Sequence, residues 1–199
     1  CREVQPRNIE ELSAITSLFR PGPLSSKFHE IYLSAKKDSV NVVYEHPLIK
    51  EILGKNYGII LYQEDLAKLA HKLGKNISLI EGQKLRKMLV KKGAAKDEEK
   101  KKKIYGKFIE GCVEKGFTQK QAESLFQKME YFASYAFSQN HSTPYVIISY
   151  ICAWFWTYYP DEYMCAYLDW EDDDKKQEAV SCAKKFGYTI KPININNSS

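Results

Sequence analysis

Cations, rather than carboxylates or histidines, are the groups whose spacing in this sequence points to chemistry. Between Lys84 and Lys120, twelve lysines and one arginine face five carboxylates, so this segment carries a net charge of +8 in a chain of net charge +5. At about 100° per helical residue, Lys84, Lys87 and Lys91 share a sector of roughly 60°, and Arg86 lies on the opposite edge of the apolar stripe. A basic segment on a mildly acidic body predicts a localised polyanion contact. The alternative is a solvated helix face.

Three further polar side chains stand at predicted turns. Arg20 precedes two prolines around a glycine, which predict a rigid, irregular corner because proline donates no backbone hydrogen bond. There Arg20 either binds a phosphate or hydrogen-bonds the carbonyl groups of the turn. Asn140 and His141 precede a predicted helix N-terminus, which favours an anion. The alternative is that they only cap or turn the chain.

The patterns of catalytic and metal centres are missing from the sequence. Aspartates cluster only at Asp169 and Asp172–Asp174, at the predicted start of a helix, and no Asp-x-Asp stands beside a strand as a two-metal site requires. There is no Walker loop, GxGxxG or HExxH motif, and the four histidines have no metal-binding spacing. The sequence therefore predicts no catalytic residue and no metal ligand, and by itself it indicates a phosphate-binding module.

Helix caps and apolar spacing indicate an all-α fold. Capping pairs recur three residues apart, at Asn8 and Glu11, Ser78 and Glu81, and Thr118 and Gln121. Apolar residues recur at helical spacing after these starts, and only residues 59–61 and 188–190 resemble short extended segments. We expect a mainly helical, irregular multi-helix domain with at most a short strand or two, forming a single domain over residues 1–199.

The stretch from Pro144 to Tyr159 is apolar on every side, which predicts a buried central helix. Thr143 is its expected N-cap and Pro144 its first residue. The stretch is shorter than the roughly 20 apolar residues that cross a bilayer, so no membrane partner is expected. The five cysteines form no CxxC pair, which indicates a reducing, cytoplasmic setting. Cys1 without an initiator Met predicts an excised piece of something longer.

Several long motifs occur in a fixed order along the chain. They are Leu18-Phe19-Arg20-Pro21-Gly22-Pro23-Leu24, Tyr57 to Glu64, Leu85-Arg86-Lys87-Met88, Phe132 to Tyr145, Ile148-Ser149-Tyr150 and a terminal Pro192 to Asn196. Their order and spacing resemble the alpha subunit of bacterial DNA polymerase III, the family C replicative polymerase. The resemblance covers essentially the whole chain and corresponds to the fingers region, which follows the palm.

The resemblance implies a part of a DNA-directed DNA polymerase that closes over the templating base and holds the triphosphate of the incoming deoxynucleotide. The implied triphosphate-binding residues are Arg86, Lys87, His141, Arg20, Gln63 and Asn140, and the implied contacts to template-primer DNA phosphates are Lys84, Lys91 and Lys92. Gln63 either orients a nucleotide or caps its helix. The palm, absent from this chain, would carry the catalytic aspartates and Mg²⁺, so the chain alone is expected to be inactive.

Three departures from the family motifs stand out, at Lys87, at Gln139 and at Pro144, which replaces a small residue. Lys87 stands where the family has a second arginine and lacks the bidentate fork, and Gln139 replaces the lysine of Phe-Asn-Lys-Ser-His. Such departures are typical of a divergent member, for example one encoded by a phage and acting in the cytoplasm of a bacterium or of a phage-infected cell. The competing hypothesis is a free-standing, polymerase-derived helical module that binds nucleic acid or a replication protein without catalysis.

Overall fold

Helices make up the regular structure of this chain. A computed structural model describes residues 1–90 and 95–191, with side chains described at 1–89 and 99–191. The helices are α1 Ile9–Leu18, α2 Pro21–Ser25, α3 Phe28–Lys37, α4 Pro47–Leu53, α5 Gln63–Leu73, α6 Leu79–Val90, α7 Ala95–Glu114, α8 Gln119–Ala133, α9 Gln139–Tyr158, α10 Pro160–Trp170 and α11 Lys176–Lys185. In these ranges the extended pairing is limited to an isolated parallel bridge between Tyr62 and Phe137. The predicted all-α fold is confirmed.

The chain divides into two compact units, Cys1–Val146 and Ile147–Ser199. The first unit holds α1 to α8 and the N-terminal part of α9, and the second holds the remainder of α9 with α10 and α11. The expectation of a single domain over residues 1–199 stays a prediction. Within the described residues, no helix is both long enough and apolar enough to span a membrane.

Two apolar clusters form the core of the unit Cys1–Val146, and an extended segment lies between them. The larger cluster packs α4 to α8 together, with Leu69 and Phe108 fully buried in it, and the smaller packs α1 on α3. Ile60 belongs to the larger cluster, whereas Ile59 and Leu61 belong to the smaller one. Because side chains of extended backbone alternate between faces, this segment contributes to both clusters and joins them.

Glycines allow α6 and α7 to pack unusually close to α5. A Cβ atom at Gly82 of α6 would lie 2.6 Å from the carbonyl oxygen of Ala67 in α5. A Cβ atom at Gly111 of α7 would lie 2.2 Å from the backbone nitrogen of Lys75, just after α5. The Lys75 ammonium also pairs with Glu110 and Glu114 of α7. Backbone contact therefore fixes the spacing of these three helices.

The structure corrects two expectations for the apolar stretch before Pro160. Helix α9 begins at Gln139, so Thr143 is not an N-cap and Pro144 lies inside the helix. The helix is also not buried, because only Ser142 and Val146 are buried along it. The apolar pattern showed that the helix is rich in apolar residues. It did not show whether other described residues pack against them.

In the unit Ile147–Ser199, one face of α9 packs on α10 and α11. The Trp156 ring lies 4.6 Å from the Phe186 ring and 5.7 Å from the Tyr163 ring, measured between centroids. Ala179 and Ala183 are buried on α11, which lets that helix approach closely. The Tyr188 hydroxyl donates to Asp161 over 2.8 Å, so residues 188–190 return to α10 without forming the strand that their sequence suggested.

Replacing Gly111 with alanine should destabilise the protein. The added methyl group would meet backbone atoms, which cannot rotate away, so α7 must shift from α5 at an expected cost of about 2–3 kcal/mol. Urea unfolding measures the change. Gly106→Ala on the same helix is the matched control, because its Cβ meets nothing within 4 Å; better helix propensity should stabilise it by about 0.5–1 kcal/mol. Equal effects of the two variants would contradict the close packing.

Candidate functional site

The bridge between Tyr62 and Phe137 joins the start of α5 to the segment that leads into α9. The backbone N–H of Gln63 donates to the Phe137 carbonyl over 2.8 Å, and the Phe137 N–H donates to the Leu61 carbonyl over 3.2 Å. The Gln63 side-chain amide donates to the Ala136 carbonyl over 3.1 Å. The Gln63 side chain thus bonds the neighbouring segment rather than capping its own helix, and its expected contact with a nucleotide stays a prediction.

A carboxylate already occupies the N-terminus of α9. Glu64 accepts hydrogen bonds from the Ser138 hydroxyl at 3.1 Å and from the Gln139 N–H at 3.0 Å. An anion is stabilised there by the partial positive charge of the helix end and by its unpaired N–H groups. The anion that this helix N-terminus was predicted to bind is therefore supplied by the protein itself, as the Glu64 carboxylate.

Asn140 and His141 do not lie in a loop ahead of the helix, as was expected, but in the first turn of α9. Asn140 is exposed. The exposed His141 ring packs on two aromatic rings, with centroids 5.5 Å from Phe137 and 4.7 Å from Tyr145. The early start of α9 thus places the histidine against Phe137.

Arg86 and Lys87 line an open pocket between the start of α5 and the exposed side of α6. The pocket has a volume of about 190 Å³ and is also lined by Gln63, Glu64 and Gln83. Arg86 is half-buried and Lys87 is exposed. Among the residues that the structure describes, neither forms an ion pair within 4.0 Å. Neither cation is therefore neutralised by an ion pair in the described part of the chain.

The close contact of α5 and α6 positions these two cations. Gly82, one helical turn before Arg86, lies against the backbone of Ala67, and Leu85 is fully buried in the larger core cluster. Residues 82 and 86 share a helix face. The packing that brings α6 close to α5 therefore also sets the place of the Arg86 side chain.

Arg20 is held on the other side of the bridge, against the face of Phe137. Its guanidinium carbon lies 4.4 Å from the centroid of that ring, a cation–π distance. The Pro-Gly-Pro segment after it forms the short helix α2 instead of the expected irregular turn, with Arg20 as N-cap residue. Its buried Nη1 atom has no hydrogen-bond partner in the described part of the chain. A buried cationic nitrogen without an acceptor is costly, and no hydrogen bond within the described residues offsets this cost.

Two buried polar networks hold the bridge in place. Asp65 accepts the backbone N–H groups of Tyr62 and Leu61, at 2.9 Å and 3.2 Å, and the Asn56 side-chain amide at 3.2 Å. The Tyr62 hydroxyl donates to Ser13 over 3.1 Å, and Ser13 lies 2.7 Å from the Ser142 hydroxyl of α9. The conformation of the bridge is thus set from α1, α5 and α9 together.

Of the three lysines expected to contact DNA phosphates, the structure describes only Lys84. Lys84 is exposed on α6 and does not line the pocket, and Lys91 and Lys92 lie outside the described residues. Part of the positive charge further along is paired, since Lys101 lies 2.6 Å from Glu130 and Lys107 lies 3.4 Å from Glu81. For these two lysines the alternative of a helix face with local ion pairs fits better than a polyanion contact.

Comparison with known proteins identifies the family. The family model of the bacterial DNA polymerase III alpha subunit finger domain matches residues 1–130. Similar proteins include the DNA polymerase III subunits alpha of Aquifex aeolicus (34% identical over 198 residues), Treponema pallidum (33% over 199) and Mycobacterium tuberculosis (34% over 203). Each comparison covers 99% of this chain but only 16–17% of the relative. The chain belongs to the bacterial DNA polymerase III alpha subunit finger domain family.

Membership of this finger-domain family confirms the resemblance drawn from the motifs. In the finger domain, the structure brings Gln63, Arg86 and Lys87 to one pocket and Arg20 and His141 to one ring, that of Phe137. Sequence analysis missed the contributions of Glu64, Gln83 and Phe137. A signal for the early start of α9 existed, because Ser138 is also a favourable N-cap residue, but Thr143-Pro144 looked stronger.

The stability of this finger domain should depend on the protonation of Asp65. Burial raises the pKa of this carboxyl to about 6, against the opposing effect of the two backbone N–H donors. The folded state therefore binds the proton more tightly than the unfolded chain, and this contribution to stability is lost as the pH rises through 6. Lowering the pH from 7.5 to 5 should add about 1 kcal/mol through Asp65.

Urea unfolding of the wild type and Asp65→Asn at both pH values tests this. The variant, which carries no titratable group at this position, should lose that part of the pH dependence. Asp38→Asn, at an exposed acid, should retain it. A pH dependence that is the same in wild type and Asp65→Asn would show that Asp65 does not titrate in this range.

Proposed function

We propose that this chain is the finger domain of a full-length DNA polymerase III alpha subunit, where it binds the triphosphate of an incoming deoxynucleotide and contacts template-primer DNA. The main support is the pocket formed by Gln63, Glu64, Gln83, Arg86 and Lys87, in which two cations that have no ion pair among the described residues lie beside the start of α5. In this proposal the chain contributes to DNA-directed DNA synthesis as part of the whole enzyme, and alone it is inactive.

Arg86 and Lys87 are the primary phosphate-binding groups of this proposal. The Arg86 guanidinium can donate two parallel hydrogen bonds to phosphate oxygens, and its half-buried position strengthens the attraction relative to bulk water. Lys87 adds a compact point charge on a flexible stem. Together they offset part of the negative charge of a triphosphate, while the nearby Glu64 carboxylate is stabilised by the N-terminus of α9.

Arg20 provides a second cationic arm, linked to the pocket through Phe137. The ring of Phe137 supports the Arg20 guanidinium, and its backbone bonds Gln63, which lines the pocket. His141 packs on the same ring, and Asn140 is its exposed neighbour. The Nη1 atom of Arg20 has no partner among the described residues, and a bound anion would supply one. We assign Arg20, and secondarily His141 and Asn140, to the part of the ligand beyond the reach of α6.

Positioning and charge neutralisation are what this chain supplies to phosphoryl transfer. Cations fixed before the ligand binds orient the triphosphate and stabilise the charge that develops on its oxygens. Among the described residues no group of three or more His, Cys, Asp or Glu could hold a metal ion. The proposal assigns Mg²⁺, with the catalytic aspartates, to the rest of the polymerase chain.

Exposed lysines near the pocket are assigned to template-primer DNA. Lys84 lies on the same helix as Arg86 but outside the pocket, and Lys91 and Lys92 follow in the sequence. Each phosphate that a lysine neutralises releases counterions, so the affinity for DNA falls as the salt concentration rises. Such contacts are independent of sequence, as a replicative enzyme requires.

Arg86→Ala in the full-length polymerase should raise the KM for deoxynucleotide, or lower kcat, by about tenfold or more, because two charge-assisted hydrogen bonds are lost. Arg86→Lys should fall between, since it keeps the charge but not the fork. Lys103→Ala, which removes an exposed cation on α7, is the control and should leave both constants unchanged. Steady-state kinetics on primed DNA measures both constants. If Arg86→Ala keeps the wild-type dependence on deoxynucleotide concentration, Arg86 does not contribute to the site.

Arg20→Met should separate a binding role from a structural one. Because Arg20 Nη1 has no partner in the described residues, removing the charge should change the free energy of unfolding by less than about 0.5 kcal/mol or stabilise the domain. The deoxynucleotide affinity of the full-length enzyme should nevertheless fall by about tenfold. A large loss of stability with unchanged affinity would instead show that Arg20 serves only the fold.

A further inference from the structure

One face of α9 in the unit Ile147–Ser199 is an exposed apolar stripe. We call it the aromatic stripe, and it consists of Ile147, Tyr150, Ile151, Trp154, Phe155 and Tyr158. These residues follow one another at positions i, i+3, i+4, i+7, i+8 and i+11, which is the spacing of a helix face that packs in a protein core. Each nevertheless exposes 40–64% of its surface.

The opposite face of the same helix shows how α9 is covered where a partner exists. Trp156 packs on Phe186 and Tyr163, and Cys152, one turn earlier, is half-buried. At about 100° per residue, the aromatic stripe spans roughly 140° on the side away from Cys152 and Trp156. The described part of the second unit thus covers one side of α9 and leaves the richer apolar side in water.

Apolar surface of this size is costly to leave in water. Burying one large apolar side chain contributes about 1.5–3 kcal/mol relative to leaving it exposed, and the aromatic stripe holds six. Contiguous exposed patches of this kind mark interaction sites in soluble proteins. Single exposed hydrophobic residues need no explanation, but six at core spacing do.

The chemistry of the stripe defines its partner as an apolar protein surface. From Pro144 to Tyr159 the sequence contains no Lys, Arg, Asp or Glu. Nucleic acid binding depends on cations that neutralise phosphates, so DNA is a poor match for this face. The polar atoms that the stripe does carry, the Tyr hydroxyls and the Trp indole N–H, are typical of protein–protein interfaces.

We infer that the aromatic stripe packs against an apolar surface of the same polypeptide, in the part of the full-length polymerase outside residues 1–199. The relatives are about six times as long as this chain, which covers 16–17% of them, so a large covalently linked surface is available. A linked partner acts at an effective concentration that reaches the millimolar range, far above that of a second polymerase molecule in solution. Packing within one polypeptide is therefore favoured over pairing between two copies.

Photo-crosslinking in the full-length polymerase tests this inference. With p-benzoylphenylalanine in place of Phe155, irradiation should give an intrachain crosslink to a peptide outside residues 1–199, found by mass spectrometry in monomeric protein. The same probe at Ser181, exposed on α11, is the control and should give at most a fifth of that yield. Adding Ile151→Lys, one turn before the probe, should reduce the Phe155 crosslink at least fivefold, because a cation would be forced into an apolar contact.

Two results would overturn the inference. Crosslinks between two copies would show that the aromatic stripe is a dimer surface. A yield at Phe155 no higher than at Ser181 would show that the stripe remains in water. Both outcomes are read from the polymerase that carries the probe alone, so they do not depend on whether the Ile151→Lys variant folds.

Discussion

The short parallel bridge between Tyr62 and Phe137 is the constraint on which the candidate site depends. Two backbone hydrogen bonds and the Gln63 side chain join the start of α5 to the segment before α9. The bridge itself rests on the buried Asp65. Because it fixes Gln63 on one side and Phe137 on the other, it relates the pocket of Arg86 to the arginine that lies over the Phe137 ring.

Electrostatics separates the groups that serve the fold from those left for a ligand. The buried Glu11 carboxylate has partners within the fold, since it pairs with Lys36 at 2.6 Å and accepts a hydrogen bond from the Tyr57 hydroxyl at 2.6 Å. Burial raises the pKa of Glu11, but the contacts with these two groups outweigh it, so the pKa is lowered. Glu64 likewise accepts a hydrogen bond from the backbone at the N-terminus of α9. Arg20 and Arg86 have no such partner within the described residues. Arg20 and Arg86 therefore stay the candidate groups for an anionic ligand.

Local signals predicted the fold well, and long-range ones were inaccessible to sequence reasoning. The caps at Ser78 and Thr118 formed as expected because they depend on residues three positions apart. The predicted start of α9 was wrong because the carboxylate that caps this helix, that of Glu64, is 75 positions away in sequence. The prediction that α9 is buried was also wrong. An apolar pattern shows that a helix surface favours a packing partner, but it does not show where that partner lies. The motifs identified the family, yet only the structure placed Phe137 beneath Arg20.

The most direct test of the account is a double-mutant cycle on the dissociation constant of deoxynucleotide, measured with full-length polymerase on primed DNA. If Arg20 and Arg86 hold one triphosphate across the bridge, the effects of Arg20→Ala and Arg86→Ala should be coupled by more than about 0.5 kcal/mol. Effects that add to within about 0.3 kcal/mol, or the absence of an effect from either variant, would contradict a shared site.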